Sequence, residues 1–129
     1  TEKKVDKAAL SGFWILKSID GQVASEAFKG NVPNIEFNFD EKMVYGHAGC
    51  NRFFGPFTFD DNVFKPGNLA TTNMMCLEAN KESEFLAALN NENIKLSIEN
   101  NILIFKDGDK KLLEFELGEN PTSTPPVEN

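Results

Sequence analysis

Phenylalanine alternates with polar residues over much of this chain, and this period of two limits the possible folds more than any other feature. The 129 residues include 12 Phe but only one Tyr and one Trp. A Phe side chain has no polar group and is most stable when it is fully buried. Because alternate side chains of a strand point to opposite faces, the pattern predicts strands with one face packed in a core.

Eight alternating or apolar runs are predicted to form strands. They cover residues 13–19, 35–39, 43–47, 53–59, 63–65, 94–98, 102–105 and 112–117. Asp20-Gly21, Asn100-Asn101 and Asp107-Gly108 suit tight turns between strands, because Asn, Asp and Gly tolerate positive φ. In the fourth run, Gly55 and Pro56 predict a bulge or an edge position.

One segment departs from the period of two. Phe85, Leu86 and Leu89 recur at helical spacing and Asn80 is a suitable N-cap, so a helix is predicted over residues 80–90. Eight antiparallel strands joined mostly by hairpins suit an up-and-down β-barrel or a strongly curved half-barrel. The expected fold is therefore mostly β: a single-domain, eight-stranded antiparallel barrel or half-barrel with one α-helix.

The length and an ordinary globular composition, with 40% hydrophobic and 26% charged residues, favour one domain. We assign this domain to residues 11–117. Residues 1–10 are charged and then apolar, and we expect them to form a mobile N-terminal arm. Residues 118–129 contain three of the six prolines and are expected to be a disordered tail.

The formal net charge is −7, from 13 basic and 20 acidic residues. Because no basic patch runs along the chain, this charge argues against nucleic acid and against anionic membrane surfaces as partners. No apolar run approaches the roughly 18 residues of a transmembrane segment. The first residues contain no signal-peptide core, and we leave open a leader or lipid anchor that was removed.

Cys50 and Cys76 are the only cysteines, and three interpretations of them are open. We expect a disulfide between two loops or strand ends, which would imply an oxidising compartment. The second interpretation is a pair of buried free thiols. The third is a reactive Cys50, since His47 and Asn51 are residue types that cysteine hydrolases combine with a thiolate.

Other catalytic and metal-binding patterns are missing from the sequence. One His and two Cys without CxxC spacing give too few ligands for a structural zinc site. There is no phosphate-binding glycine loop and no dinucleotide fingerprint. We therefore predict a protein that is not an enzyme and that has no catalytic residues, no metal and no cofactor.

The candidate binding residues lie in irregular segments, because loops on a rigid barrel can present contacts to a partner at low entropic cost. The longest such segment is 21–34. The candidates are Phe28, Lys29, Asn31, Pro33 and Arg52. Phe28 alternatively plugs one end of the barrel. Arg52, the only arginine, either pins its own loop, which is the interpretation we prefer, or recognises an acidic group on a partner.

Two segments resemble the signatures of a known family. Residues 49–55, Gly-Cys-Asn-Arg-Phe-Phe-Gly, resemble the GCNxFxG motif of META/HslJ-like domains. Residues 71–76, Thr-Thr-Asn-Met-Met-Cys, resemble the TxMxC motif of the same family. Trp14 with Leu16, followed by Gly21, is similar to its opening W-x-L…G pattern.

This resemblance extends over residues 12–117 and implies a small, curved antiparallel β-structure with one helix. Members of the family are mostly bacterial, are often exported or lipid-anchored, and are linked to heat-shock or antibiotic-resistance phenotypes. The resemblance supplies no catalytic residue. It implies that the Gly-Cys-Asn and Met-Cys residues are architectural, with Gly for close approach, Cys for a cross-link and Asn for a turn.

The size, the expected barrel, the acidic charge and a removable leader also resemble the potempins, small outer-membrane lipoproteins that inhibit secreted peptidases. This second likeness is one of form only. We expect a non-enzymatic, exported envelope protein, either periplasmic or a lipoprotein anchored to the outer membrane. It would be a monomer when unbound and would bind another protein. More specifically, it would inhibit a secreted endopeptidase. The alternative is a structural or stress-response HslJ-like envelope protein without a tight soluble partner.

Overall fold

The computed structural model describes residues 5–28, 32–72, 75, 81–91 and 94–118. Within them ten strands form one sheet: β1 Gly12–Ile19, β2 Gln22–Val23, β3 Asn34–Asn38, β4 Met43–His47, β5 Arg52–Asp60, β6 Val63–Pro66, β7 Ala70–Thr71, β8 Ile94–Glu99, β9 Ile102–Asp107 and β10 Lys110–Gly118. The same ranges contain three helices: α1 Lys7–Leu10, α2 Ala24–Ala27 and α3 Glu82–Leu89. No helix in these ranges has the length and apolar character needed to cross a bilayer.

Eight of these strands close into an antiparallel barrel. Their order is β10-β9-β8-β6-β5-β4-β3-β1, and β1 pairs again with β10. The closing register runs from Phe13 opposite Gly118 to Ile19 opposite Leu113. Of the remaining strands, β2 pairs with β1 and β7 pairs with the start of β5. Closure satisfies the backbone groups that an open sheet would expose at its edges. The predicted eight-stranded barrel is therefore confirmed in its closed form.

Phe rings form one continuous cluster in the core, six of them from strands and one, Phe85, from helix α3. Neighbouring rings contact each other in the order Phe37, Phe57, Phe64, Phe105, Phe115, Phe85, Phe53. The ring centroids are 5.2–6.1 Å apart, and the rings are tilted or edge-on, which is the favoured geometry for aromatic pairs. All seven residues are buried. The predicted burial of alternating Phe residues is confirmed at the six strand positions.

Two of the three turns that the sequence predicts adopt left-handed backbone conformations at both residues, and the third does so at Gly108 alone. Asp20 and Gly21 have φ values of 50° and 83°, and Asn100 and Asn101 have values of 53° and 66°. Asn and Asp visit this region more readily than other side chains because their short polar groups can bond locally. These residues therefore let consecutive antiparallel strands follow each other with two-residue connections.

Strand β5 lacks the predicted bulge, but Gly55 and Pro56 have a strand partner on one side only, as the edge alternative describes. Its first five residues pair with β4 in an unbroken register, and β7 and then β6 pair on its other side. Gly55 is required for a different reason. A Cβ there would lie 2.8 Å from Leu69 Cδ2 and 2.9 Å from the Asn68 carbonyl oxygen. The Gly-Pro pair therefore marks the place where residues 67–69 cross close over the strand.

Residues 5–10 pack on the barrel, whereas the sequence predicted a mobile arm over 1–10. The Val5 N–H donates to Asn62 Oδ1 at 2.9 Å, and Trp14 Nε1 donates to the Leu10 carbonyl at 2.9 Å. Leu10 is fully buried. Helix α1 has only four residues, too few for a periodic pattern, so these tertiary contacts place it. Residues 1–4 and 119–129 lie outside the described residues.

Candidate functional site

The motif at residues 49–55 begins in the tight turn between β4 and β5. His47 and Arg52 face each other as the last pair of this hairpin. The Ala48 N–H donates to the Asn51 carbonyl at 2.7 Å, which closes the turn. Gly49 has φ 112°, a conformation that L side chains rarely adopt, so glycine is needed there. Its N–H donates to His47 Nδ1 at 3.2 Å.

The carboxylate of Glu82 holds this turn from the side of helix α3. Glu82 Oε1 accepts from the backbone N–H groups of Cys50, at 2.9 Å, and Asn51, at 2.7 Å. Its Oε2 accepts from Asn51 Nδ2 at 2.7 Å. Hydrogen bonds to an ionised carboxylate are about twice as strong as neutral ones. We call this arrangement the Glu82 anchor, and it ties the first turn of α3 to a hairpin that lies 31 residues earlier in the chain.

Thr72 completes the cluster from the segment after β7. Its hydroxyl accepts from the Arg52 N–H at 3.0 Å and donates to Asn51 Oδ1 at 2.9 Å. The Thr72 N–H donates back to the Arg52 carbonyl at 3.0 Å. The side-chain amide of Asn51, which is only 8% exposed, is therefore bound at both its oxygen and its nitrogen.

The sequence singled out the segments 49–55 and 71–76 but missed Glu82, which joins the first of them to α3. The predicted N-cap, Asn80, lies outside the described residues, while Lys81 occupies the N-cap position without a side-chain cap. The sequence did contain one signal. Glu82 lies at the start of a helix that it does not cap, so its carboxylate can bond to a distant segment.

Two pKa shifts describe the electrostatics of the cluster. Burial tends to raise the pKa of the Glu82 carboxyl, but the hydrogen bonds from Asn51 and Cys50 outweigh it, and the pKa lies below its usual value. The pKa of His47 is also lowered, first by burial and then by the positive charge of Arg52, against the opposing effect of Glu82. At neutral pH the anchor is therefore ionised and His47 is neutral, with Nδ1 accepting from Gly49.

Acidification is expected to destabilise the fold in two steps. Because the pKa of His47 is lowered in the fold, the unfolded chain binds that proton first, and stability falls as the pH drops below the ordinary value of 6.5. The pKa of Glu82 is also lowered in the fold. Its contribution to stability is therefore present above pH 4.5, the ordinary pKa of Glu, and is lost as the pH falls through the pKa of the folded state. Urea unfolding, followed by the fluorescence of Trp14 at pH 7.5, 5.5 and 3.5, measures both steps. His47→Gln should remove the first step and leave the second, and an unchanged first step would contradict the assignment.

The candidate binding residues of the sequence have different environments. Phe28 is 1% exposed and belongs to the core. Pro33 is buried, and its carbonyl accepts from the Leu16 N–H at 2.9 Å. Lys29 and Asn31 lie outside the described residues, so the binding role of this segment stays a prediction.

The preferred role of Arg52, pinning its own loop, stays a prediction for its guanidinium, because residues 73, 74 and 76–80 lie outside the described residues. Asn51, Thr72 and Glu82 hold the turn, and Arg52 contributes its backbone groups while its side chain is exposed. Cys50 is half-buried in the turn, and Cys76 lies outside the described residues. The disulfide between them therefore stays a prediction.

An open groove of about 590 Å³ lies on the outside of the barrel beside this turn. Phe13, Glu36, Tyr45 and Phe54 face one another in sequence across β1, β3, β4 and β5. Tyr45 is 37% and Phe54 48% exposed. We call this surface the outer groove.

A second outward row of the same groove runs next to the first. Asn34, His47 and Arg52 face one another across β3, β4 and β5. The sequence did not predict this surface, although it contained a signal. In the pair Phe53-Phe54 the two side chains must point to opposite faces of β5, so one of them has to leave the core.

The chain belongs to the META domain family, whose model matches residues 8–119. This family consists of HslJ-like, envelope-type proteins and is not known for enzymatic activity. The resemblance of residues 49–55 and 71–76 to its motifs is thereby confirmed, whereas the likeness to potempins is not shown. No curated protein matches the chain.

Three solved structures have a similar fold. A protein solved by NMR is 25% identical, with a TM-score of 0.68, and the match covers 89% of this chain and 96% of that one. A protein from Burkholderia xenovorans, also solved by NMR, is 19% identical with a TM-score of 0.64 and 93% coverage of both chains. The crystal structure of a DUF4847 family protein from Bacteroides vulgatus is 18% identical with a TM-score of 0.61, covering 91% of this chain and 99% of that one.

Proposed function

We propose that this META domain protein is a non-enzymatic protein of the bacterial envelope that binds another protein through the outer groove. The observation that carries the proposal is that residues 47–54 combine groups bonded within the fold with side chains that face solvent. Asn51 and the turn backbone are bound within the fold, while Arg52 and Phe54 face solvent. Aromatic residues and Arg are enriched in protein interfaces and at their energetic centres.

The hydrogen bonds that His47 and Asn51 form within the fold support a role other than catalysis. A cysteine hydrolase needs a base beside its thiolate, but His47 Nδ1 accepts from Gly49 and the Asn51 amide is held by Glu82 and Thr72. Within the described ranges no group of three His, Cys, Asp or Glu side chains is placed to hold a metal ion. These arrangements favour a rigid binding module.

The location and the specific target are part of the proposal. We place the protein outside the cytoplasm, in the periplasm or anchored to the outer membrane, where Cys50 and Cys76 can form a disulfide. The target would be a secreted endopeptidase that the protein inhibits. The envelope-type family is what supports this location. A structural or stress-response role without a tight soluble partner is the alternative, and the internal Glu82 anchor is equally compatible with it.

The proposal is tested by capture on the immobilised full chain. Secreted and envelope proteins of the source bacterium are passed over the wild type, over Phe54→Ser and over Val23→Ser, and the captured proteins are assayed for endopeptidase activity. Val23 is a matched control because it is 53% exposed on β2 and does not line the groove. A protein captured by the wild type and by Val23→Ser but lost on Phe54→Ser supports the groove, and falling peptidase activity at equimolar chain supports inhibition.

Two other outcomes contradict the proposal. If Phe54→Ser captures as much as the wild type, the outer groove is not the binding surface. If the wild type retains nothing, the structural alternative replaces the binding function. All three proteins must unfold at similar urea concentrations for the comparison to hold.

A further inference from the structure

Arg52 combines a fixed backbone with an exposed charged group. It is the only arginine of the chain and the first residue of β5. Its N–H and its carbonyl are both bonded to Thr72, at 3.0 Å each. In the part of the chain that the structure describes, its guanidinium has no hydrogen bond or ion pair, and the side chain is exposed. The turn therefore fixes the backbone of Arg52 and leaves its charged guanidinium exposed.

Among the described residues, the two that share the row of Arg52 carry no negative charge. His47 lies directly opposite and is neutral at neutral pH, and Asn34 follows in the same row. The Glu82 carboxylate is occupied by donors from Cys50 and Asn51. The groove's acidic residue, Glu36, lies in the other row, between Phe13 and Tyr45. The part of the groove beside Arg52 therefore suits a carboxylate, because Arg can bind a carboxylate through two parallel hydrogen bonds.

The apolar part of the groove lies at a fixed distance from this charge. Phe54 is two residues beyond Arg52 on the same face of β5, which separates their backbones by about 7 Å. Tyr45 faces Phe54 from β4, so the two side chains form one exposed platform. In an extended peptide, side chains two positions apart point the same way and are also about 7 Å apart. The spacing of the groove therefore matches an extended ligand.

We propose that the outer groove binds an extended segment of a protein partner that carries an apolar residue and an acidic residue two positions apart. The apolar side chain packs on Tyr45 and Phe54, and the carboxylate pairs with Arg52. This inference rests on the proposed binding function and specifies its ligand.

A charge swap tests the inference with the full chain. Random seven-residue peptides displayed on phage are selected on the wild type, on Arg52→Glu and on Lys65→Glu. Lys65 is exposed on β6, outside the groove, and its substitution changes the net charge by the same amount. We expect the wild type and Lys65→Glu to enrich peptides with an apolar and an acidic residue two positions apart. Arg52→Glu should instead enrich Lys or Arg at the acidic position.

The affinity of one selected peptide provides the second measurement. Replacing its acidic residue by the amide should weaken binding to the wild type about tenfold, and should have little effect on Arg52→Gln. Peptides that depend on Phe54 but contain no acidic residue, and that bind Arg52→Glu equally well, would overturn this inference while the proposed function stands. Absence of any enrichment over Phe54→Ser would overturn it as well, and the capture experiment then decides the proposed function separately.

Discussion

Replacing Glu82 by Ala is expected to lower the free energy of unfolding by about 3 kcal/mol, because hydrogen bonds to a charged group contribute about 1.5–3 kcal/mol each and water replaces some of them. The substitution removes the common acceptor of the Cys50 N–H, the Asn51 N–H and the Asn51 side-chain amide. Of these two residues, Asn51 is buried and is the less able to find water instead. Urea unfolding followed by Trp14 fluorescence measures the change.

Glu84→Ala is the matched control for this variant. Glu84 lies in the same first turn of α3, carries the same charge and is exposed to solvent. Its loss removes the same interaction with the helix dipole but none of the bonds of the Glu82 anchor, so the expected change is within about 0.5 kcal/mol. Equal effects of the two substitutions would show that Glu82 acts only through the helix.

Replacing Phe64 by Ala is expected to cost about 3–5 kcal/mol, the range for removing a buried aromatic side chain. Phe64 is fully buried, and its ring contacts those of Phe37, Phe57 and Phe105 at centroid distances of 5.9, 5.7 and 5.6 Å. Because domains of this size are stable by only about 5–15 kcal/mol, the variant should unfold at much lower urea concentration.

Phe54→Ala is the control for the core substitution, since it removes the same atoms from the outer face of the barrel. Phe54 is 48% exposed, and we expect a loss below about 1 kcal/mol, mostly from its cross-strand contact with Tyr45. If Phe64→Ala does not accumulate, Phe64→Leu provides the measurement with a smaller cavity. Similar losses for Phe54→Ala and Phe64→Ala would contradict the assignment of inner and outer faces.

The barrel was predictable because seven of its eight strands have five or more residues, which is enough to show which face is buried. Strands such as β3 and β4 were placed within one residue, since alternation and turn residues report the same boundaries. The elements that were missed have two or four residues, for example α1 and β7. Such short segments contain no period, and contacts such as the one between Val5 and Asn62 position them.

The candidate site was predictable only in part, for a related reason. The two unusual segments at 49–55 and 71–76 were visible as dense clusters of small and polar residues. Their partner Glu82 was not, because hydrogen bonds between residues 31 positions apart leave no local pattern. Composition likewise shows that the chain has a single arginine but not whether its guanidinium turns inward or outward.

Nuclear magnetic resonance of the Cys50 and Asn51 backbone amides tests the central claim, that the Glu82 carboxylate holds the β4–β5 turn. In the 15N-labelled full chain, both amide resonances are followed from pH 7 to pH 2. We expect them to shift together as Glu82 is protonated, with a midpoint below the ordinary Glu value of 4.5, and we expect Glu82→Gln to abolish the shift. Amide resonances that do not titrate in the wild type, or that titrate with a midpoint at or above 4.5, would contradict the account.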